Sequence, residues 1–195
     1  MEGRDQIYKA LFHASVGADT LVIYSSDSQM FLVTTPNQKY WNNNEKIIFL
    51  GEWCKLYNQK GKWDKLDHQT FPHHWENRDD LYRDLSYTNS LYEKYLKQLV
   101  KQFNQVHKVD FSIRYWRIVI GPCLYLIITT LYDRFRSIQV AAESKLVTNT
   151  YLAASKPIHW IYPDFETLYQ HCYEDDNYNF YIFCKIIKKF KEIPF

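Results

Sequence analysis

The residues best suited to chemistry begin in the stretch "IIFLGEWCKLY" at 47–57, where an apolar run ends at Gly51 and Glu52, Trp53 and Cys54 follow at once. Open α/β sheets form their clefts at the carboxyl ends of strands. A carboxylate placed there suits a general base or a ligand for a substrate hydroxyl, and Trp53 beside it suits a flat apolar platform. An ordinary turn that packs large side chains would read the same way. "HHW" at 73–75 adds imidazoles, and His74 is the candidate partner of Glu52. Two basic clusters follow. "SIRYWR" sets Arg114 and Arg117 three apart, hence on one helix face, and "YDRFR" carries Asp133, Arg134 and Arg136. Guanidinium forks fit phosphate or carboxylate groups, with Asp133 and Arg134 supporting Arg114 and Arg117. A structural reading stands beside this one: each arginine could pair with a carboxylate of a neighbouring helix, and Glu52 could tie the sheet to the long helix.

Other chemistries find less support. His68, His73 and His74 with Cys54 could be imagined as zinc ligands. Their spacing is irregular, and adjacent histidines do not readily point at one ion, so no metal is expected. GxGxxG, GxxxxGK[ST] and GxSxG patterns are absent, which gives no sign of a dinucleotide, a nucleoside triphosphate or a serine nucleophile, and no cofactor is expected. The 24 basic and 22 acidic side chains nearly balance, so the composition is not that of a nucleic-acid binder. Four scattered cysteines without a CxxC pair read as free thiols of a reducing compartment. Residues 1–29 lack a basic start with a continuous apolar stretch, so the expected location is cytoplasmic. Aromatic residues reach 18%, enough either to fill a core and its rim or to line a groove for a flat, sugar-like ligand.

The elements that must position these residues read as α/β. "TLVIY", "FLVTT", "IIFLG" and "KLVTNTYLAA" are strand-like, and 55–77 reads as a long structured loop. From Asp79 to about His107, Leu81, Leu85, Tyr92, Tyr95, Leu99, Phe103 and Val106 form one helical stripe with Asn77 as N-cap. A second long helix should run from near Ser112 to about Glu143, kinked or split at Gly121-Pro122. Its apolar stretch 118–132 is shorter than a spanning segment and reads as a buried core helix. Asp164 should cap a short helix, and Asp175 or Asp176 the last one.

Taken in order, FLGEWC, HHW, RYWRIxIGP and LYDR over residues 30–195 resemble the N-terminal part of bacterial transferases from O-antigen and other surface-carbohydrate gene clusters. The resemblance implies a glycosyltransferase-B-like enzyme whose N-terminal lobe is Rossmann-like and helix-rich, with short, mainly parallel strands and two long helices. It makes 30–195 the acceptor-side lobe, stopping before the donor-binding lobe, and 1–29 an extension of uncertain status. The expected partners are a carbohydrate acceptor, a nucleotide-activated donor held by the other lobe, and a membrane surface met peripherally. Such a fragment should be inactive alone. It should expose an apolar patch near Tyr178, Tyr181, Ile182 and Ile186 for a partner lobe or self-association. The rival expectation is a non-catalytic α/β interaction module.

Overall fold

The computed structural model describes residues 29–154 and 160–195; "TLVIY" and the weak helical pattern before it lie outside them. Among the described residues, four short strands, β1 (Met30–Val33), β2 (Ile47–Phe49), β3 (His68–Thr70) and β4 (Val147–Thr150), form one sheet in the order β3-β2-β1-β4. Every neighbouring pair is parallel, with Phe31 opposite Ile47 and Ile47 opposite His68. β1 and β2 are apolar at every position because both faces of the sheet are covered. Met30, Leu32, Ile48 and Leu50 pack on one side with the long helices, while Phe31, Val33, Ile47 and Phe49 pack on the other with Trp41 and Cys54.

The connections from β1 to β2 and from β2 to β3 hold only single turns and a short helix, α1 (Lys60–Trp63). β3 corrects the reading of 55–77 as loop. Its three polar residues carry no strand pattern of their own and are recruited by parallel pairing to β2. From β3 the chain makes a hairpin of α2 (Arg78–His107) and α3 (Ile113–Glu143), then returns on the far side of β1 as β4. The side chains of Asn77 and Ser112 accept from backbone N–H groups of the first turns, as expected of N-caps. Asp164 caps α4 (Phe165–Glu174) and Asp175 caps α5 (Asp176–Phe190).

Three expectations need correcting. Of the kink or split expected at Gly121-Pro122, the split does not occur: α3 runs as one helix through Pro122. The carbonyl deprived of its partner is that of Ile118, an exposed position where water can serve. Nor is α3 a core helix throughout: only 28% of its most apolar window is buried. The apolar patch expected on α5 is largely covered. Ile186 is buried in the main core, Ile182 packs against that core, and Tyr178 and Tyr181 are half-buried with rings against Trp160. Exposed apolar side chains stand instead on the hairpin, at Val106, Ile118 and Val119, and on and before α4, at Ile161, Tyr169 and Tyr173.

Candidate functional site

Parallel strands bring all their carboxyl ends to one edge, and there the chemistry-bearing residues divide into those that meet and those that do not. At the tip of β2, the chain after Gly51 turns sharply and sends its three side chains three ways. Cys54 goes inward: it is fully buried, its Sγ lies 3.6 Å from the Val33 carbonyl, and burial pushes the thiol up to about 12. That thiol is packing, not a nucleophile. Trp53 folds back over Gly51 and lies parallel to Phe183 of α5, with ring centroids 6.3 Å apart. A methyl group on Gly51 would fall about 2 Å from the indole, so glycine is what allows this close approach. Glu52 points to solvent, its side chain 78% exposed and paired with Lys55 at 2.9 Å.

At the tip of β3, His73, His74 and Trp75 meet the middle of α3. The two imidazoles stack, with centroids 4.6 Å apart and planes 20° apart, and both Nε2 atoms face Oδ1 of Asp133, at 3.8 Å for His73 and 3.3 Å for His74. The expectation that adjacent histidines cannot address one point fails because the turn after Pro72 stacks the rings instead of splaying them. Asp133 is also paired with Arg134, whose guanidinium donates to Asn179 Oδ1 of α5 at 2.9 and 3.1 Å and lies 5.9 Å from the Phe183 ring. Phe183 thus links Trp53 to Arg134.

Burial alone would raise the Asp133 carboxyl. The His74 hydrogen bond and the Arg134 charge outweigh burial and hold it below the usual carboxylate range. His73 is pulled below its ordinary value, first by burial and then by His74 beside it. The two histidines differ in access: the side chain of His74 is 2% exposed and that of His73 46%. Ser137 Oγ lies 3.3 Å from Nδ1 of His74 and fixes that ring from behind.

Beneath this patch sits a carboxylate that the sequence did not single out. Asp84 of α2 is buried in the interface of the helices. It accepts from Trp75 Nε1 and from the Tyr132 hydroxyl at 3.0 Å each, and lies 3.3 Å from Arg136 Nε and 3.5 Å from Arg83 Nε. Asp84 and Thr88 occupy the inward face of α2, while Leu81, Leu85 and Val106 of the expected stripe are exposed. The helix was legible, but its inner face at these turns is polar because it must meet the patch. Arg83 and Arg136 give that buried charge its counter-charges.

Two expected members stand elsewhere. Arg117 makes a two-point pair with Glu93 of α2, the structural reading of that arginine, and Arg114 is exposed nearer the hairpin tip. Arg117 lies sixteen residues before Asp133 on the same helix, about 24 Å away at 1.5 Å per residue. The basic helix start and the strand-tip residues therefore do not share a hollow.

His73, His74 and Asp133 place one donor atom each within 4.8 Å, a set that by number and type suits a divalent transition metal. Two contacts weigh against that use. Nδ1 of His73 accepts from the Trp75 backbone N–H at 3.2 Å, which leaves the ring proton on the Nε2 that a metal would need. Arg134 already supplies a cation to the same carboxylate. The arrangement is better suited to handling protons: a proton reaching the accessible His73 would form an imidazolium 3.8 Å from a carboxylate held ionised. Along the same edge, the loop after β1 and the turns after β2 border an open, shallow cleft of about 440 Å³ beside the start of α5. Its polar wall includes Gln38, Gln59 and Lys62, joined by hydrogen bonds of 2.9 and 3.0 Å.

A sequence model described as LIC12162 family transferase matches residues 30–195. No curated protein and no solved structure matches the chain.

Proposed function

From the premise that the chain belongs to the LIC12162 family of transferases, we propose that residues 30–195 form the acceptor-side lobe of a glycosyl- or related group transferase of surface-polysaccharide (O-antigen) assembly. The parallel sheet with helices packed on it is compatible with a glycosyltransferase-B lobe. In this reading the polar cleft beside Gln38 and Lys62 holds acceptor sugar hydroxyls, and a second lobe grips the nucleotide of the donor.

One observation carries the reading: an exposed His73 backed by an ionised Asp133 at the carboxyl edge of the sheet. His73 takes the proton of the acceptor hydroxyl on Nδ1, which gives up its contact with the Trp75 backbone N–H, as that oxygen attacks the donor and displaces the nucleotide; the Nε2–H stays toward Asp133, which stabilises the resulting imidazolium. His74, Ser137 and Arg134 hold Asp133 in place, and Asp84 anchors Trp75. The base role weighed for Glu52 passes to His73, because the Glu52 carboxylate stands in solvent with Lys55.

The test is genetic. Deleting the gene in its native host should change the surface-glycan ladder on a gel. The wild-type gene should restore the ladder, and His73→Gln should not, although the variant protein accumulates normally. An unchanged ladder in the deletion strain, or full restoration by His73→Gln, refutes the proposal. Full restoration by His73→Gln would leave the rival, a non-catalytic module, in its place.

A further inference from the structure

The hairpin of α2 and α3 reaches far beyond the sheet. The last fully buried residue of α2 is Leu96, and before Gly121 only Trp116 of α3 is buried. The outer part, 97–120, packs on itself. Phe103 meets Trp116 at 5.2 Å between centroids, and Asn104 latches the turn. The Asn104 Nδ2 donates to the Phe111 carbonyl at 2.9 Å, while its Oδ1 accepts from the Phe111 N–H at 3.2 Å and from Trp116 Nε1 at 2.7 Å. The tip is therefore a built structure and not a fraying end.

That built tip presents apolar side chains to solvent. Tyr115, Ile118 and Val119 share the face of α3 turned away from α2, on the opposite side from Arg117, which pairs with Glu93, and Gly121, which abuts Tyr92; Phe111, in the turn before α3, packs its ring on Tyr115 at 4.2 Å between centroids. Ile118 is 71% exposed, and Val106 across the turn is 72% exposed. Nearby stand cations: Lys97, Lys101, Lys108 and Arg114 lie between 97 and 116 against one acid, Asp110, while Arg117 is neutralised by Glu93. Rings and branched aliphatics inside a basic collar are the composition of surfaces that enter the headgroup layer of an anionic bilayer.

We infer that the hairpin tip docks on anionic lipid membranes, with Phe111, Tyr115, Ile118 and Val119 in the headgroup boundary and Lys101, Lys108 and Arg114 on the phosphates. The charge balance selects the occupant. A second copy of the tip would bring one set of cations against another, whereas an anionic lipid surface neutralises them. Although α3 is long and apolar enough by length and composition to cross a membrane, its second half is built into the core through Tyr132, Phe135 and Ile138. The contact is therefore made from one side and leaves the sheet edge about 24 Å or more from the tip along α3. This inference is independent of the role given to His73.

Vesicle sedimentation of the full chain tests it. Phosphatidylcholine vesicles containing phosphatidylglycerol should retain the protein at least about tenfold better than phosphatidylcholine alone, and about 1 M salt should release it. Ile118→Glu with Val119→Glu should abolish retention, as should Lys108→Glu with Arg114→Glu. These positions are exposed, and an unchanged melting curve verifies the fold. The inference is overturned by equal retention on both vesicles, by retention that survives salt, by variants that bind as wild type, or by light scattering that shows a dimer dissolved by Ile118→Glu.

Discussion

His73 and His74 are neighbours in the chain, yet they stack ring on ring at 4.6 Å and address the same oxygen of Asp133 from different depths, one buried and one half exposed. The same pair thus divides into a side chain that can meet a substrate and one that holds the carboxylate behind it.

This division separates two substitutions. His73→Gln should leave the unfolding midpoint within the ordinary range of surface changes, about 0.5 kcal/mol, and lower the transfer rate by about 10²-fold or more. His74→Ala removes a buried partner of Asp133 and should cost about 1–3 kcal/mol in urea unfolding. A His73→Gln protein as active as wild type would contradict the assignment.

The pH dependence follows from the direction of the His73 shift. Its folded value lies below the ordinary imidazole value, so the folded protein favours the neutral, basic ring. The associated stability is complete above the unfolded value near 6.5 and declines as the pH falls below it. Activity should therefore be level at neutral pH and fall on an acid limb centred below about 6.5. His73→Gln should remove that limb from whatever activity remains.

Asp84 anchors the patch from below. Asp84→Ala would leave Arg136 without its counter-charge and orphan the Trp75 and Tyr132 donors. A loss of about 3 kcal/mol is expected in denaturant unfolding. Tyr132→Phe, which removes only one neutral donor, should cost about 1 kcal/mol.

Gly51→Ala should lift the Trp53 indole off Phe183, because the added methyl has no other space. The expected cost is about 1–3 kcal/mol, with a red shift of tryptophan emission. Combined with Trp53→Ala, the glycine substitution should cost much less than it does alone.

The sequence was legible where structure is written locally. Asn77, Ser112, Asp164 and Asp175 marked helix starts because a cap acts through the next few backbone N–H groups. The two apolar strands, β1 and β2, announced themselves by burial on both faces. β3 did not, since His68, Gln69 and Thr70 are strand only by virtue of register with β2. Around the site, Asp133, Arg134 and His74 were on the page as candidates and do meet, whereas Arg114 and Arg117 shared a helix with Asp133 but not its turn. Asp84 escaped notice because its Tyr132 partner is 48 residues away and its own helix read as a leucine stripe. A carboxylate on the inner face of an amphipathic helix, with Arg83 beside it, was the available signal.

The central place of β1 has a consequence for biogenesis. One flank of β1 is closed by β2 soon after it, but the other waits for β4, whose Thr148 and Thr150 hydroxyls donate to the Met30 and Leu32 carbonyls across 118 residues of chain. While the ribosome is still making the helical hairpin, that flank stays unzipped, a template on which nascent chains can cross-pair. Yield in a heterologous host should thus depend on translation pace and chaperone supply more than on the strength of the finished fold.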